Sequence, residues 1–469
     1  MPSTIALALW LGLLLALLYF DPAKEGRTSF ALWLPVIWMF ILGSRLPSQW
    51  LGGDTGRAAQ SLEEGNPLDR MFFIILILAS IAILMSRSFR WMAFFRNNLA
   101  LTALVGFALL SVCWSDYPFV AFKRWFRDLG TYLVILVAIT DPSPQEAVRT
   151  VLRRFAYLLI PLCILLNKYF PELSKQYDPF SGVATYAGAT TSKNMLGVAC
   201  LVSGLFFFWD TLTRWPSRRK RQTKRIILVN LTFLAMTAWV LQVANSATSK
   251  ACLALGCFVI AAVNSKTFAR HPKFLKAVIP TCFIVYVVLA FGFNLNGEIA
   301  GALGRDPTLT DRTKIWGILL GMKTNPLLGT GYESFWLGER LEKFWTYFPG
   351  LNEAHNGYLE VYLNLGLIGL FLLACFLVAT YRSICRGLRN ASGLASFAFG
   401  VWTITLFYNI TEAAFKGQLM WFTFLIGVLS IPVFAKRQVP VIPNLGKDHG
   451  EAPTIPVAPP LVSLSPWRQ

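Results

Sequence analysis

Long apolar stretches constrain this chain more than any other feature. A helix needs about 20 mostly apolar residues to cross a bilayer. Roughly thirteen candidate stretches of this kind can be marked, at 4–20, 28–45, 70–87, 98–114, 128–141, 154–170, 194–212, 226–244, 251–264, 276–294, 356–379, 393–410 and 417–435. Of the 469 residues, 55% are hydrophobic and 14% charged, against about 25% charged in a soluble domain. So much apolar surface cannot be hidden in one core surrounded by water. A soluble enzyme, a disordered chain and a secreted disulfide scaffold are thereby excluded. The expected fold is all-α, a polytopic bundle of about 12–13 transmembrane helices. The N-terminal stretch MPSTIALALW lacks the basic flank of a signal peptide and reads as a retained span.

Charge gives the orientation. Lys and Arg total 43 against 24 Asp and Glu, a net charge of +19. The excess falls in short runs between apolar stretches: Arg87/Arg90/Arg96, Arg149/Arg153/Arg154, Arg214 through Arg225, Lys266/Arg270/Lys273/Lys276, Arg382/Arg386/Arg389 and Lys436/Arg437. These occupy every second loop, which marks the cytoplasmic side. They read as solvated, topology-setting charge facing anionic lipid rather than as a nucleic-acid surface. The loops 46–69, 115–127, 171–193, 245–250, 295–355 and 411–416 then lie outside. The chain divides into N-terminal spans over 1–294, an extracytoplasmic loop over 295–355, C-terminal spans over 356–435 and a Pro-rich disordered cytoplasmic tail over 436–469. The eight Cys form no CxxC pair and sit mostly in apolar runs, as small hydrophobes do. With only three His, a metal site built on His clusters is not expected.

The loop 295–355 is long for a connection between spans, and loops of that length are usually functional. Its aromatics (Trp316, Phe335, Trp336, Phe344, Trp345, Tyr347 and Phe348) argue for order. The spacing predicts an amphipathic helix over 313–322, with Ile315, Trp316, Leu319 and Leu320 on one side, lying along the membrane surface. Asn325-Pro326 ends it, and Gly329 and Gly331 make a turn.

The next span opens with EAHNGYLEVYLNLGLIGLFLL, 353–373. His355 stands where the helix enters the membrane. On a helical period His355, Leu359, Tyr362, Gly366 and Gly369 share a stripe, and the two glycines would let a neighbouring helix approach. Asn356, Glu360 and Asn364 lie on an adjacent stripe. Glu360 sits about 7–8 Å down the helix, where an acid needs a polar cavity or a partner. The bland alternative is an interfacial His solvated by headgroups.

Several outer loops carry cations against the positive-inside trend: Lys123, Arg124 and Arg127; Lys193 beside Asn194; Lys250 in the tight turn NSATSK; and Arg305 and Arg312 in the long loop. Each alone reads as a side chain snorkelling to headgroups. As a set they suit a phosphate-bearing lipid, because Arg offers a planar fork and Lys a point charge to phosphate oxygens.

At this point the chain resembles the O-antigen ligases and related polysaccharide polymerases. HNGYLEVYLNLGLIG carries that family's signature through His355, Asn356, Gly366 and Gly369. GRDPTLTDRTKIW, 304–316, is similar to the segment that opens the family's outer loop, and NPLLGTGYESFW, 325–336, to its Asn-Pro-Leu-Leu-Gly-x-Gly turn. GSRLPSQWLG, 43–52, and GNPLDR, 65–70, resemble the exopolysaccharide-polymerase branch.

The resemblance implies a GT-C-like transferase in the bacterial inner membrane with its active site on the periplasmic side. Such a protein takes a glycan from a polyprenyl diphosphate and passes it to an acceptor sugar hydroxyl with inversion, without a metal, another cofactor or nucleic acid. It also implies that His355 is a general base or acceptor-orienting group with Asn356 and Glu360 beside it, and that Arg312 grips diphosphate. Lys250 stands where many members have Arg. Lys193 and Arg305 complete the expected diphosphate set. An imidazole with its usual pKa near 6.5 suits a base at neutral pH. With no Asp, Glu or His cluster expected outside, Arg and Lys must meet the charge on the departing oxygen. Polymerisation of lipid-linked repeat units leads over ligation of a finished glycan to lipid A-core or another acceptor. A transporter of lipid-linked sugar is the reading from a different class. A chain-length regulator is a candidate partner for the basic cytoplasmic loops.

Overall fold

The computed structural model describes residues 1–22, 28–52, 65–177, 182, 184–265, 280–285, 312–389 and 393–437. Of the expected tail 436–469, residues 438–469 lie outside the described residues and 436–437 end a helix; also outside are Arg305, Lys266, Arg270, Lys273, Lys276 and most of the candidate span 276–294. Residues 280–285 of that span are helical.

The expectation of an all-α polytopic bundle holds. Its helices are α1 (Ser3–Tyr19), α2 (Trp33–Gly43), α3 (Pro67–Ser86), α4 (Trp91–Asn97), α5 (Leu99–Leu110), α6 (Pro118–Ile139), α7 (Pro144–Tyr169), α8 (Lys193–Arg214), α9 (Arg221–Ala244), α10 (Ala247–Asn264), α11 (Arg312–Leu320), α12 (Gly338–Trp345), α13 (Gly357–Arg389), α14 (Gly393–Thr411) and α15 (Leu419–Arg437). Among the described residues, seven helices are long and apolar enough to cross a membrane. The pair α4–α5, bent by 100°, is apolar and long enough to make an eighth if its two helices form one span. The strands β1 (Lys175–Tyr177) and β2 (Ala184–Tyr186) form one small antiparallel hairpin in a connecting loop.

Two boundaries differ from expectation for a local reason. The segment 115–127, read as a loop, is helical from Pro118, because a proline at the first helical position starts a helix without losing a hydrogen bond. The tight turn before Lys250 reduces to Asn245 in the left-handed region (φ 50°) and Ser246, whose hydroxyl caps α10 by accepting from Ser249 N.

At the bundle end that carries the basic runs, the arginines are not all solvated. Arg153 is fully buried, its Nη2 2.9 Å from Asp21, and Arg154 Nε lies 2.6 Å from the other Asp21 oxygen. Arg149 and Arg214 converge on buried Asp210 at 3.4 and 2.8 Å. These charges knit α1, α7 and α8 together rather than only facing lipid, since a buried cation must be paired.

α13 is interrupted at Gly366, which takes φ 64° and ψ −164°. The break frees backbone groups, and the turn 325–331 docks into them. Leu367 N donates to Pro326 O at 2.9 Å and Ile368 N to Leu327 O at 3.2 Å, while Thr330 N and Gly331 N donate to Leu363 O and Asn364 O. A Cβ on Gly366 would lie 2.3 Å from Leu327 C. Gly366 therefore admits a loop backbone, not a neighbouring helix. Gly369, further down, is crowded by Leu365 of its own helix. The two glycines do not form the helix-packing stripe expected of them, because His355 precedes the helix and the turn is broken between them.

The outer loop has a small core of its own, with Ile315 and Leu319 of α11 against Phe335, Trp336, Leu341 and Phe344. Trp316 packs beside it, but Leu320 is 59% exposed. The apolar side of α11 is thus narrower than expected, and it faces the loop's own aromatics.

Candidate active site

Four segment ends converge at the bundle end opposite the Arg153 network. Asn356 caps α13, its Oδ1 accepting from Tyr358 N and Leu359 N at 3.0 Å each. The preceding His355 adopts φ 49°, a left-handed conformation uncommon outside Gly and characteristic of functional sites. Its Nδ1 lies 3.0 Å from Glu353 Oε1 and 3.5 Å from Glu412 Oε2. Glu412 follows α14, and its other oxygen lies 3.2 Å from Arg312 Nη2 at the start of α11. Asn194, at the start of α8, reaches the same carboxylate at 3.3 and 3.5 Å.

Of the expected set, the structure brings His355 and Arg312 to one carboxylate. Lys193 immediately precedes Asn194 on α8, and Lys250 Nζ lies 3.4 Å from Asn245 Oδ1 in its own turn. Arg305 lies outside the described residues. Glu360 faces away from His355. Its carboxylate accepts from Trp336 Nε1 at 2.9 and 3.1 Å and from Ala354 N at 2.7 Å. Asn364 on the same stripe accepts from Phe335 N at 3.1 Å. Glu360 and Asn364 therefore fasten the outer loop and the backbone leading to His355.

Glu353 and Glu412 are the site residues that the sequence reading passed over. The only signals were an acid two residues before His355 and the acid–lysine pair in ITEAAFKG, 410–417. Their presence overturns the expectation that no Asp, Glu or His cluster exists at this end. His355, Glu353 and Glu412 offer ligand atoms within 4.8 Å of one another, a set that could hold a metal ion. Arg312 and Lys416 already bring positive charge to these carboxylates, so the arrangement suits ion pairing better than a dication.

The electrostatics correct a second expectation. Burial alone would lower the His355 pKa, but Glu353 and then Glu412 outweigh it and raise it to about 9. Burial would raise Glu353, yet His355, with Lys416 and Arg312, brings it down to about 2. Lys416, against Glu360, Glu333 and Glu353, is pushed up to about 12 in spite of burial. These neighbours favour the imidazolium of His355 at neutral pH over the free base that its usual pKa would give. With Nδ1 turned to the carboxylates, Nε2 is left as a donor.

Fold and site together define a multi-pass helical membrane protein with a charged, partly enclosed His–Glu–Arg cluster at one end. Residues 231–374 match the family model described as O-Antigen ligase, a stretch that includes Arg312, His355 and the break at Gly366. The chain is also 27% identical over 320 residues to the exopolysaccharide production protein ExoQ of Rhizobium meliloti (strain 1021), covering 65% of this chain and 70% of that protein. The family resemblance read from the motifs is shown by these matches, and they support a membrane polysaccharide-processing enzyme.

Proposed function

We propose that the chain is a glycosyltransferase of the bacterial inner membrane. It moves a glycan from a polyprenyl diphosphate to an acceptor sugar hydroxyl on the periplasmic side, and so polymerises repeat units of exopolysaccharide or O-antigen. The observation that carries this reading is the junction of His355, Glu412 and Arg312, built from three separate segments ahead of the α13 break. Polymerisation is preferred on the likeness of GSRLPSQWLG, 43–52, to the exopolysaccharide-polymerase branch; the family description keeps ligation to a different acceptor as the alternative.

In the reaction, the acceptor oxygen forms a bond to the anomeric carbon as the bond from that carbon to phosphate oxygen breaks. The electron pair leaves with the diphosphate, and the configuration inverts. The His355 imidazolium donates a hydrogen bond toward the departing oxygen, where fixed positive charge in a water-poor site is most effective. The acceptor proton passes to a carboxylate, for which Glu353 is best placed. A weak base suffices when the hydroxyl has grown acidic through bond formation. Arg312 and Asn194 hold Glu412 against His355. Glu360 is a positioning residue, acting through Ala354 and Trp336.

The test uses the purified protein in lipid vesicles with a polyprenyl-diphosphate oligosaccharide. Release of carrier diphosphate with a ladder of lengthened glycans is the expected result. Single transfer to an added, distinct acceptor would establish the ligase reading instead. Movement of the lipid between leaflets with its bonds intact would make the protein a transporter and end the proposal.

A further inference from the structure

The carboxylate of Glu412 reaches His355 only if the segment that follows α14 lies against the first turn of α13. Asn409 joins the two. It stands in the last turn of α14 and is fully buried. Its Oδ1 accepts from Ala414 N at 2.8 Å, which closes a turn over 409–414 with Glu412 inside it. Its Nδ2 donates to Thr405 O at 2.8 Å, so both ends of the amide are engaged and its orientation is fixed.

Gly357 meets that amide from the other side. It is the first residue of α13, two positions after His355, and it lies outside the left-handed region. Its backbone conformation therefore makes no demand for glycine. Space does: a Cβ there would lie 2.0 Å from Asn409 Oδ1 and 2.8 Å from Cγ. Tyr358 holds the same junction. Its OH donates to Leu406 O at 3.1 Å, and its ring stands 5.1 Å from that of Phe415.

We infer that Asn409 is a positioning residue for His355, acting through Glu412, and that glycine at 357 is what admits it. The effect on rate rests on the transferase reading; the effect on the imidazole does not. Glu412 Oε2 stands 3.5 Å from His355 Nδ1, at the outer limit of a hydrogen bond, and the attraction weakens further with distance. A shift of the 409–414 turn by about 1 Å would therefore uncouple the pair, a misplacement on the scale that costs catalysis. Glu353 belongs to the same segment as His355 and does not depend on that turn. Asn409 carries no charge, so any change it makes in the titration of His355 comes through geometry.

The experiment reads the imidazole directly. The chain has three His, so the full chain labelled at histidine gives three imidazole signals in an NMR titration, and the one missing from His355→Gln is His355. Asn409→Ala should lower the His355 midpoint from about 9 part of the way toward its ordinary value. The shift should be smaller than in Glu412→Gln, because Asn409→Ala leaves both acids in place. Gly357→Ala keeps the amide and wedges the two segments apart, so it should move the midpoint in the same direction; it also decides the matter if Asn409→Ala does not fold. In a Glu412→Gln background neither substitution should move the midpoint further. In the transfer assay Asn409→Ala should lower kcat by about tenfold with KM nearly unchanged. A wild-type midpoint in the folded variants would overturn the inference. So would an equal shift with and without Glu412, which would make the amide a structural contact only. A wild-type protein that transfers no glycan, with midpoints that move as described, would sink the proposed function and keep the positioning role. Transfer by wild type with unmoved midpoints would do the reverse.

Discussion

Glu412 faces His355 with one carboxylate oxygen, 3.5 Å from Nδ1, and meets Arg312 with the other, 3.2 Å from Nη2. One acid thus adds, after Glu353, to the charge held on the imidazole and fixes the position of the guanidinium. Glu412→Gln keeps the shape and removes the charge. The His355 pKa should fall from about 9 toward its ordinary value, and turnover should drop by about 10²-fold or more, the scale of losing a positioned proton-transfer group. A variant with wild-type rate and pH profile would show that this carboxylate does nothing for His355.

The same raised pKa makes rate depend on pH in a direction that identifies the role of His355. If the imidazolium is the working form, kcat/KM in the wild type is flat from pH 7 to about 8.5 and falls as pH passes about 9. A rate that climbs through pH 9 would instead make Nε2 a base, and the proposed division of labour with Glu353 would be wrong.

Stability should follow the same titration. The folded-state pKa of His355, about 9, lies above the ordinary value of about 6.5. Its contribution is therefore fully present below pH 6.5 and is lost as pH rises through 9, an effect on the order of 3 kcal/mol. The thermal midpoint of the wild type in detergent should decline between pH 7 and 9.5 more than that of His355→Gln. Parallel curves would count against the ion pairs.

Gly366→Ala places a Cβ 2.3 Å from Leu327 C at a residue with φ 64°. Strain of this kind costs about 1–3 kcal/mol before the clash is relieved. The turn 325–331 should lose its seat, and protease should cut the outer loop at lower doses while the membrane helices stay intact. A loop as resistant as wild type would show that the break tolerates a side chain.

Glu360→Leu should loosen the same loop by another route, leaving Trp336 Nε1 and Ala354 N without their acceptor at about 1–3 kcal/mol each. Because Glu360 does not touch His355, the pH at which activity falls should stay near that of wild type while the rate declines. A shifted pH limit would place Glu360 in direct contact with the chemistry.

Much of this architecture is legible along the chain. Among the described residues the apolar stretches coincide with helices, because a bilayer permits little else for a spanning backbone. Asn325-Pro326, Gly329 and Gly331 announce a turn because few residues adopt its angles; Gly329 and Gly331 take φ 68° and 94°. What misled was periodicity carried through Gly366. A regular helix puts His355, Gly366 and Gly369 on one stripe, but the chain enters the helix only at Gly357 and breaks at Gly366. The stripe is therefore not a surface. Glu353 and Glu412 escaped because acids at loop ends are common, and nothing local distinguishes one that will meet a histidine from one that will face water.

The sequence by itself determined that this is a multi-pass helical membrane protein with His355 at the mouth of a span, because hydrophobic length and local turn chemistry act within a few residues of each other. The tertiary structure alone decided which charges meet. Residues 312, 353–355 and 412 are brought together from three separate segments, and α6 turns Arg124 and Arg127 into a cavity shared with α3 and the outer loop. Coulomb and hydrogen-bond energies depend on distances across the bundle, which spacing along the chain does not record.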